Sequence, residues 1–136
     1  MKSDIMSDEK ILIDTSVWIE YFQNKSLNLS RKVDSIISGS SICIPKIVIA
    51  ELMQGAKSRK EISIIEDLLD AFNIIDQTED TWIEAGKLSY RLRKKGIAIN
   101  LADCYIAIIA RAYECYIFTL DKHFKHIKAE ININLI

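Results

Sequence analysis

Apolar positions along this chain fall into short continuous runs that alternate with longer stretches at helical spacing, the pattern of buried strands interleaved with amphipathic helices. Ile11-Leu12-Ile13 is such a run, closed by Asp14; Thr15 and Ser16 then lead into Val17, Trp18, Tyr21 and Phe22, one apolar face of a short helix. Asp14 either caps that helix or stands at the carboxyl end of a central strand, where open α/β sheets place their sites. After a loop at 23–26, Ser30 is a candidate N-cap for a helix that turns Val33, Ile36 and Ile37 inward until Gly39. Ser41 to Ile44 reads as a second strand, stopped by Pro45.

Lys46 to Ala56 is less ordinary. Ile47, Val48, Ile49, Ala50, Leu52 and Met53 cover nearly every helical direction, which predicts a helix buried on all sides with Glu51 in its middle. An ionised carboxylate there is costly unless it pairs, with Arg111 or Lys57, or binds a cation. Ser58 or Arg59 opens the next helix, with Ile62, Ile65, Leu68, Leu69 and Phe72 at helical spacing, and 72–75 is a third strand. Thr78-Glu79-Asp80 marks a helix start; Trp82, Ala85, Leu88 (or Ser89) and Leu92 face inward, and Gly96 ends the helix after Lys95. Asn100 as N-cap puts Asp103 in a first helical turn, on one stripe with Ile106, Ala107 and Ala110. Cys115 to Phe118 is a fourth strand, followed by Thr119-Leu120-Asp121 and a helical turn to Phe124; the alternation over 131–135 predicts a half-exposed edge strand. Strands alternating with helices predict one α/β domain, a sandwich on a mostly parallel sheet, with residues 1–10 as a loose polar tail.

At 136 residues the chain can bury roughly two-thirds of its unfolded surface. No apolar run reaches the length of a membrane span, and the first residues lack a secretory apolar core. Cys43, Cys104 and Cys115 are odd in number and sit in apolar segments, as expected of buried thiols in a reducing cytoplasm. Both histidines lie in His123-Phe124-Lys125-His126, which argues against a His/Cys zinc site. A net charge of −1 excludes a surface coated in positive charge. The cations at 91–95 and 122–128 nonetheless cluster, either to hold phosphates or because cations favour helix ends.

Four acids carry the chemistry. Asp14 and Asp121 follow strands, while Glu51 and Asp103 project from helices near strand or loop exits, so a doubly wound sheet can bring them to one edge. Packed carboxylates repel, and a divalent cation relieves them; oxygen ligands point to Mg²⁺ or Mn²⁺. Such a cluster could activate a water and steady the leaving oxygen of a phosphodiester, with the hydroxyls of Thr15, Ser16 and Thr119 orienting the carboxylates. The glycines form neither a Walker nor a dinucleotide pattern.

Four stretches, Ile13-Asp14-Thr15-Ser16-Val17-Trp18, Ile49-Ala50-Glu51-Leu52-Met53-Gln54-Gly55, Ala102-Asp103-Cys104-Tyr105-Ile106-Ala107 and Thr119-Leu120-Asp121-Lys122-His123-Phe124, occur in the order found in one family. The sequence resembles the PIN-domain ribonucleases, specifically the VapC-type toxins of type II toxin–antitoxin pairs. The resemblance implies a PIN-like three-layer α/β/α sandwich in which Asp14, Glu51, Asp103 and Asp121 bind Mg²⁺, with Mn²⁺ as substitute, and hydrolyse RNA. It implies supporting roles for Thr15 and Thr119, a homodimer, and a small VapB-like antitoxin that covers the site. Ser16 stands where Asn is common, and Cys104-Tyr105 replace smaller or aliphatic residues, departures that bear on substrate fit. The alternatives are a PIN-like module that binds RNA or protein without cutting, and a phospho-acceptor receiver, whose acid pair and late lysine are not evident.

Overall fold

A computed structural model of the chain describes residues 9–24 and 26–136. Its centre is β1 (Lys10–Ile13), where Ile11, Leu12 and Ile13 are fully buried, as a parallel strand covered on both faces must be. On one side β1 pairs with β2 (Ser41–Pro45), which pairs with β3 (Asn73–Ile75); on the other it pairs with β4 (Tyr116–Phe118), which pairs with β5 (Asn134–Leu135). All four pairings are parallel, and the order is β3-β2-β1-β4-β5.

Between the first three strands run α1 (Thr15–Gln23), α2 (Leu27–Gly39), α3 (Lys46–Gln54) and α4 (Arg59–Ala71), which pack on one another as one layer. The return from β3 to β4 carries α5 (Thr81–Lys94) and α6 (Leu101–Ala112), and α7 (His123–Lys128) packs on α6 in the opposite layer. Strand order thus reverses between β1 and β4, the switch point at which a doubly wound sheet opens a crevice beyond its carboxyl ends. The expected three-layer α/β/α sandwich is present, with an entirely parallel sheet.

Local signals account for most boundaries. Gly96, at φ 81°, ends α5: its N–H donates to Arg93 O at 2.9 Å and the Ile97 N–H to Leu92 O at 2.9 Å, the paired bonds of a left-handed helix stop. The Asn100 side chain accepts from Asp103 N at 2.8 Å and starts α6 as expected.

Several expectations need correction. Ser26, not Ser30, caps α2 by accepting from Leu29 N at 3.2 Å. Helix α3 is not buried all round: Val48 and Leu52 are buried, Ile47, Ile49, Glu51 and Met53 half-buried, and Ala50 exposed. The helix buried in every direction is α6, where Asp103 to Ala110 are all enclosed between the sheet, α5 and α7. Trp82 is 44% exposed, lying flat on Tyr105 at 4.1 Å between ring centres. The edge strand is only two residues long, because the Ile131 N–H still bonds Ile127 O in the exit turn of α7; Ile131 and Ile133 face the core without belonging to a ladder. Of the expected tail, residues 1–8 lie outside the described ones, as does Lys25 of the first loop. Lys10 belongs to β1, and Glu9 O accepts from Ser41 N at 3.0 Å.

The packing makes α6 the element least able to lose volume. Replacing Ile109, which is fully buried, with Ala is expected to cost roughly 2–5 kcal/mol in denaturant unfolding. Ser58→Ala, which removes the α4 cap, is expected to cost about 1 kcal/mol.

Candidate active site

Each acid singled out from the sequence reaches the carboxyl edge of the sheet by a short route. Asp14 is the first residue beyond β1, and its N–H donates to Phe118 O of β4 at 2.9 Å, pinning it to the switch point. It occupies the N-cap position of α1, yet its carboxylate makes no capping bond. Instead Oδ2 accepts from Ser16 Oγ at 2.9 Å and from Thr119 Oγ1 at 2.8 Å. Capping by Asp14 is thereby excluded, and two hydroxyls from different strand exits hold the carboxylate while it is 4% exposed.

The same hydroxyls shape the exit of β4. Thr119 Oγ1 accepts from Asp121 N at 3.0 Å, Ser16 Oγ accepts from Leu120 N at 3.1 Å, and Asp121 Oδ1 accepts from His123 N at 2.9 Å. Glu51, reached through α3, accepts from Thr15 Oγ1 at 2.6 Å. The buried ion pair considered for Glu51 is replaced by this hydroxyl bond; Arg111 lies 3.9 Å from Glu84 instead.

Asp103 is the acid under greatest electrostatic pressure. Burial, with added repulsion from Asp121, Asp14 and Glu51 and a close approach to the Asp121 carboxyl, pushes its pKa up from 3.8 to about 7. Its Oδ2 is buried and has no hydrogen-bond partner among the described residues. A buried carboxylate oxygen without a donor, ringed by three further acids, is the arrangement a cation relieves. The donor set is oxygen-rich, which suits Mg²⁺ or Mn²⁺. Carboxylate oxygens of Asp103 and Asp121 and an imidazole nitrogen of His123 lie within 4.8 Å of one another. Asp14 and Glu51 act on Asp103 through charge and stand outside that trio.

His123 was missed from sequence alone, where it read as part of a basic cluster; the available signal was its place two residues after Asp121. Arg91, a candidate phosphate contact, is instead drawn with Lys95 onto Glu130, which both cations hold below the usual carboxylate range.

Fold and site together define a doubly wound α/β/α protein with an acid-lined crevice at its switch point. The PIN domain family model matches residues 11–130, and the chain belongs to that family. It is 31% identical over 122 residues to ribonuclease VapC1 of Methanocaldococcus jannaschii, spanning 89% of this chain and 83% of that protein. It is 26% identical over 121 residues to ribonuclease VapC1 of Haemophilus influenzae strain R2866, spanning 85% and 90%. The solved VapBC2 of Rickettsia felis, bound to a promoter DNA fragment, shares the fold with a TM-score of 0.77 at 24% identity, over 93% of this chain and 97% of that one. The expected relationship to VapC-type PIN ribonucleases therefore holds.

The raised Asp103 pKa fixes a sign for stability against pH. Below about pH 4 both folded and unfolded chains carry this proton; from there to about pH 7 only the folded chain keeps it, so stability falls as pH rises. With EDTA present, Asp103→Asn is expected to gain on the wild type across that window in thermal unfolding, and to level off above it. A stability difference that stays constant with pH would contradict the assigned pressure on Asp103.

Proposed function

We propose that the chain is a Mg²⁺- or Mn²⁺-dependent endoribonuclease, the toxin of a VapB–VapC-type pair, acting in the cytoplasm as one PIN domain. The observation that carries this reading is the unpartnered, buried Asp103 Oδ2 among three other acids. A binding module has no use for a carboxylate held at such cost, whereas hydrolysis of a phosphodiester does. The bound cation would neutralise the acid cluster and polarise a phosphoryl oxygen.

The remaining work falls to the chain. Asp14, Glu51, Asp103 and Asp121 would hold the cation, and Asp14 keeps its orientation through Thr119 and Ser16. Thr15 fixes the Glu51 carboxylate in the same way. A carboxylate of this set would also orient an attacking water and accept its proton. Free cysteines at 43, 104 and 115, all buried, agree with a reducing compartment, and no helix among the described residues is long and apolar enough to cross a membrane.

A small antitoxin partner also has structural support. An apolar groove of about 340 Å³ lies between α1, α3 and α4, bordered by Ile19, Phe22, Leu52 and Ile64, with Glu51 on its wall. The α1 face therefore divides: Val17 and Trp18 are fully buried core, while Phe22, and Ile19 beside it in the groove with Glu51, remain 37% and 42% exposed. A partner helix laid in this groove would reach the crevice. The homodimer is carried over from the family.

Purified protein is expected to cleave RNA with Mg²⁺ or Mn²⁺ and to stop with EDTA. Asp14→Asn and Asp103→Asn should lower the rate by at least about a hundredfold, since several kcal/mol of charge stabilisation are at stake. Thr15→Val and Thr119→Val should lower it about 10–100-fold. Cleavage that persists in EDTA, or survives Asp103→Asn, would refute the mechanism.

A further inference from the structure

The segment leaving β4 folds back on itself through two backbone-to-side-chain bonds, Asp121 N–H to Thr119 Oγ1 at 3.0 Å and His123 N–H to Asp121 Oδ1 at 2.9 Å. This turn puts an imidazole beside a carboxylate at the mouth of the crevice: His123 Nδ1 stands 3.3 Å from Asp121 Oδ1. Through Asp121 the imidazole also meets Asp103, and one donor atom from each of the three residues lies within 4.8 Å of the others. Donors about 2.1 Å from a shared ion are about 3 Å apart when adjacent and about 4.2 Å apart when opposite. The trio therefore needs only slight closure to hold one cation. A separate observation points to a ligand on the same side chain: Asp103 Oδ2 is buried and has no donor among the described residues.

Resting on the metal-dependent reading above, we propose that His123 is a nitrogen ligand of the cation site and makes that site favour Mn²⁺ over Mg²⁺. Mg²⁺ is a hard ion that prefers oxygen and gives up its waters reluctantly, whereas transition-metal ions such as Mn²⁺ take imidazole nitrogen more readily. An acid set alone would leave the choice between the two ions to size and availability; one imidazole tilts it. The alternative role for His123, a simple ion pair with Asp121, offers little to the fold, because the histidine side chain is 55% exposed and such pairs are screened by water. The imidazole is open enough to swing onto an ion and close enough to need no rearrangement of α7.

The test uses the full chain loaded with Mn²⁺, read by pulsed electron paramagnetic resonance for coupling to a directly bound nitrogen, with Mn²⁺ and Mg²⁺ affinities from calorimetry. Wild type should show the nitrogen coupling, and His123→Ala and His123→Asn should lose it. Both variants should bind Mn²⁺ at least about tenfold more weakly, the loss seen when even an outer partner is removed. Their Mg²⁺ affinity should stay within about twofold, a water taking the vacated position. Mn²⁺ bound without nitrogen coupling, coupling that survives His123→Ala, or equal losses for both ions would overturn the role of His123 while leaving the acid site intact. Failure of the wild type to bind either ion would overturn the metal site and this proposal together.

Discussion

Crowding of negative charge at the switch point of the sheet is the constraint to which the rest of the structure answers. Asp103 is buried on the first turn of α6 and feels Asp121, Asp14 and Glu51, and the described residues provide no donor for its Oδ2. Carboxylates in that state push apart, so something stiff must hold them. The stiffness comes from the two most enclosed elements: β1, whose apolar residues are covered on both faces, and α6, buried from Asp103 to Ala110. Apolar burial there, at about 25 cal/mol per Å², offsets the local repulsion although Asp103 Oδ2 accepts no hydrogen bond among the described residues. Stability and site chemistry therefore oppose each other along one helix.

Hydroxyls refine what the core holds only roughly. Ser16 and Thr119 leave neighbouring strands and meet on one oxygen of Asp14, and their oxygens also accept N–H bonds from the β4 exit. The loops after β1 and β4 are consequently one hydrogen-bonded unit. A change at Thr119 would move Asp14 and Asp121 together, although the two acids are far apart in sequence. Thr15 does the same between α1 and α3 by holding Glu51. Such bonds to charged acceptors are short and directional, which hydrophobic packing is not.

Much of this was legible in the sequence, for reasons that can be named. The strands showed because a parallel sheet covered on both faces needs continuous apolar runs, and Ile11-Leu12-Ile13 and Ile42-Cys43-Ile44 are such runs. Asn100 and Gly96 showed because caps act through side chains and backbone angles only a few residues away. The acids at strand exits showed as departures from those local rules. What depends on the opposite layer did not show. Helix α3 carries more apolar residues than it buries, and α6 buries Asp103, because only the tertiary arrangement decides which helix is enclosed. Glu130 collects Arg91 and Lys95 from more than thirty residues away, a pairing that no local pattern announces. His123 was hidden by its neighbours, since Lys122, Lys125 and His126 give its segment the look of a solvated basic end.

The sign of the site's charge also bears on how RNA could approach it. RNA is a polyanion, and protein surfaces that bind it unaided present cations to its phosphates. Here the crevice is lined by four acids and the chain as a whole carries −1, so bare electrostatics would repel a phosphodiester from the groups that must act on it. On the proposed reading, a cation does more than assist the chemistry: it reverses the local field and so permits the substrate to enter. Binding and cleavage would then share one metal dependence, whereas a module that merely held RNA would keep its affinity when the ion was removed. The same field suits a partner that brings its own positive charge along the apolar groove beside Glu51, because such a partner could quiet the acids with no ion at all.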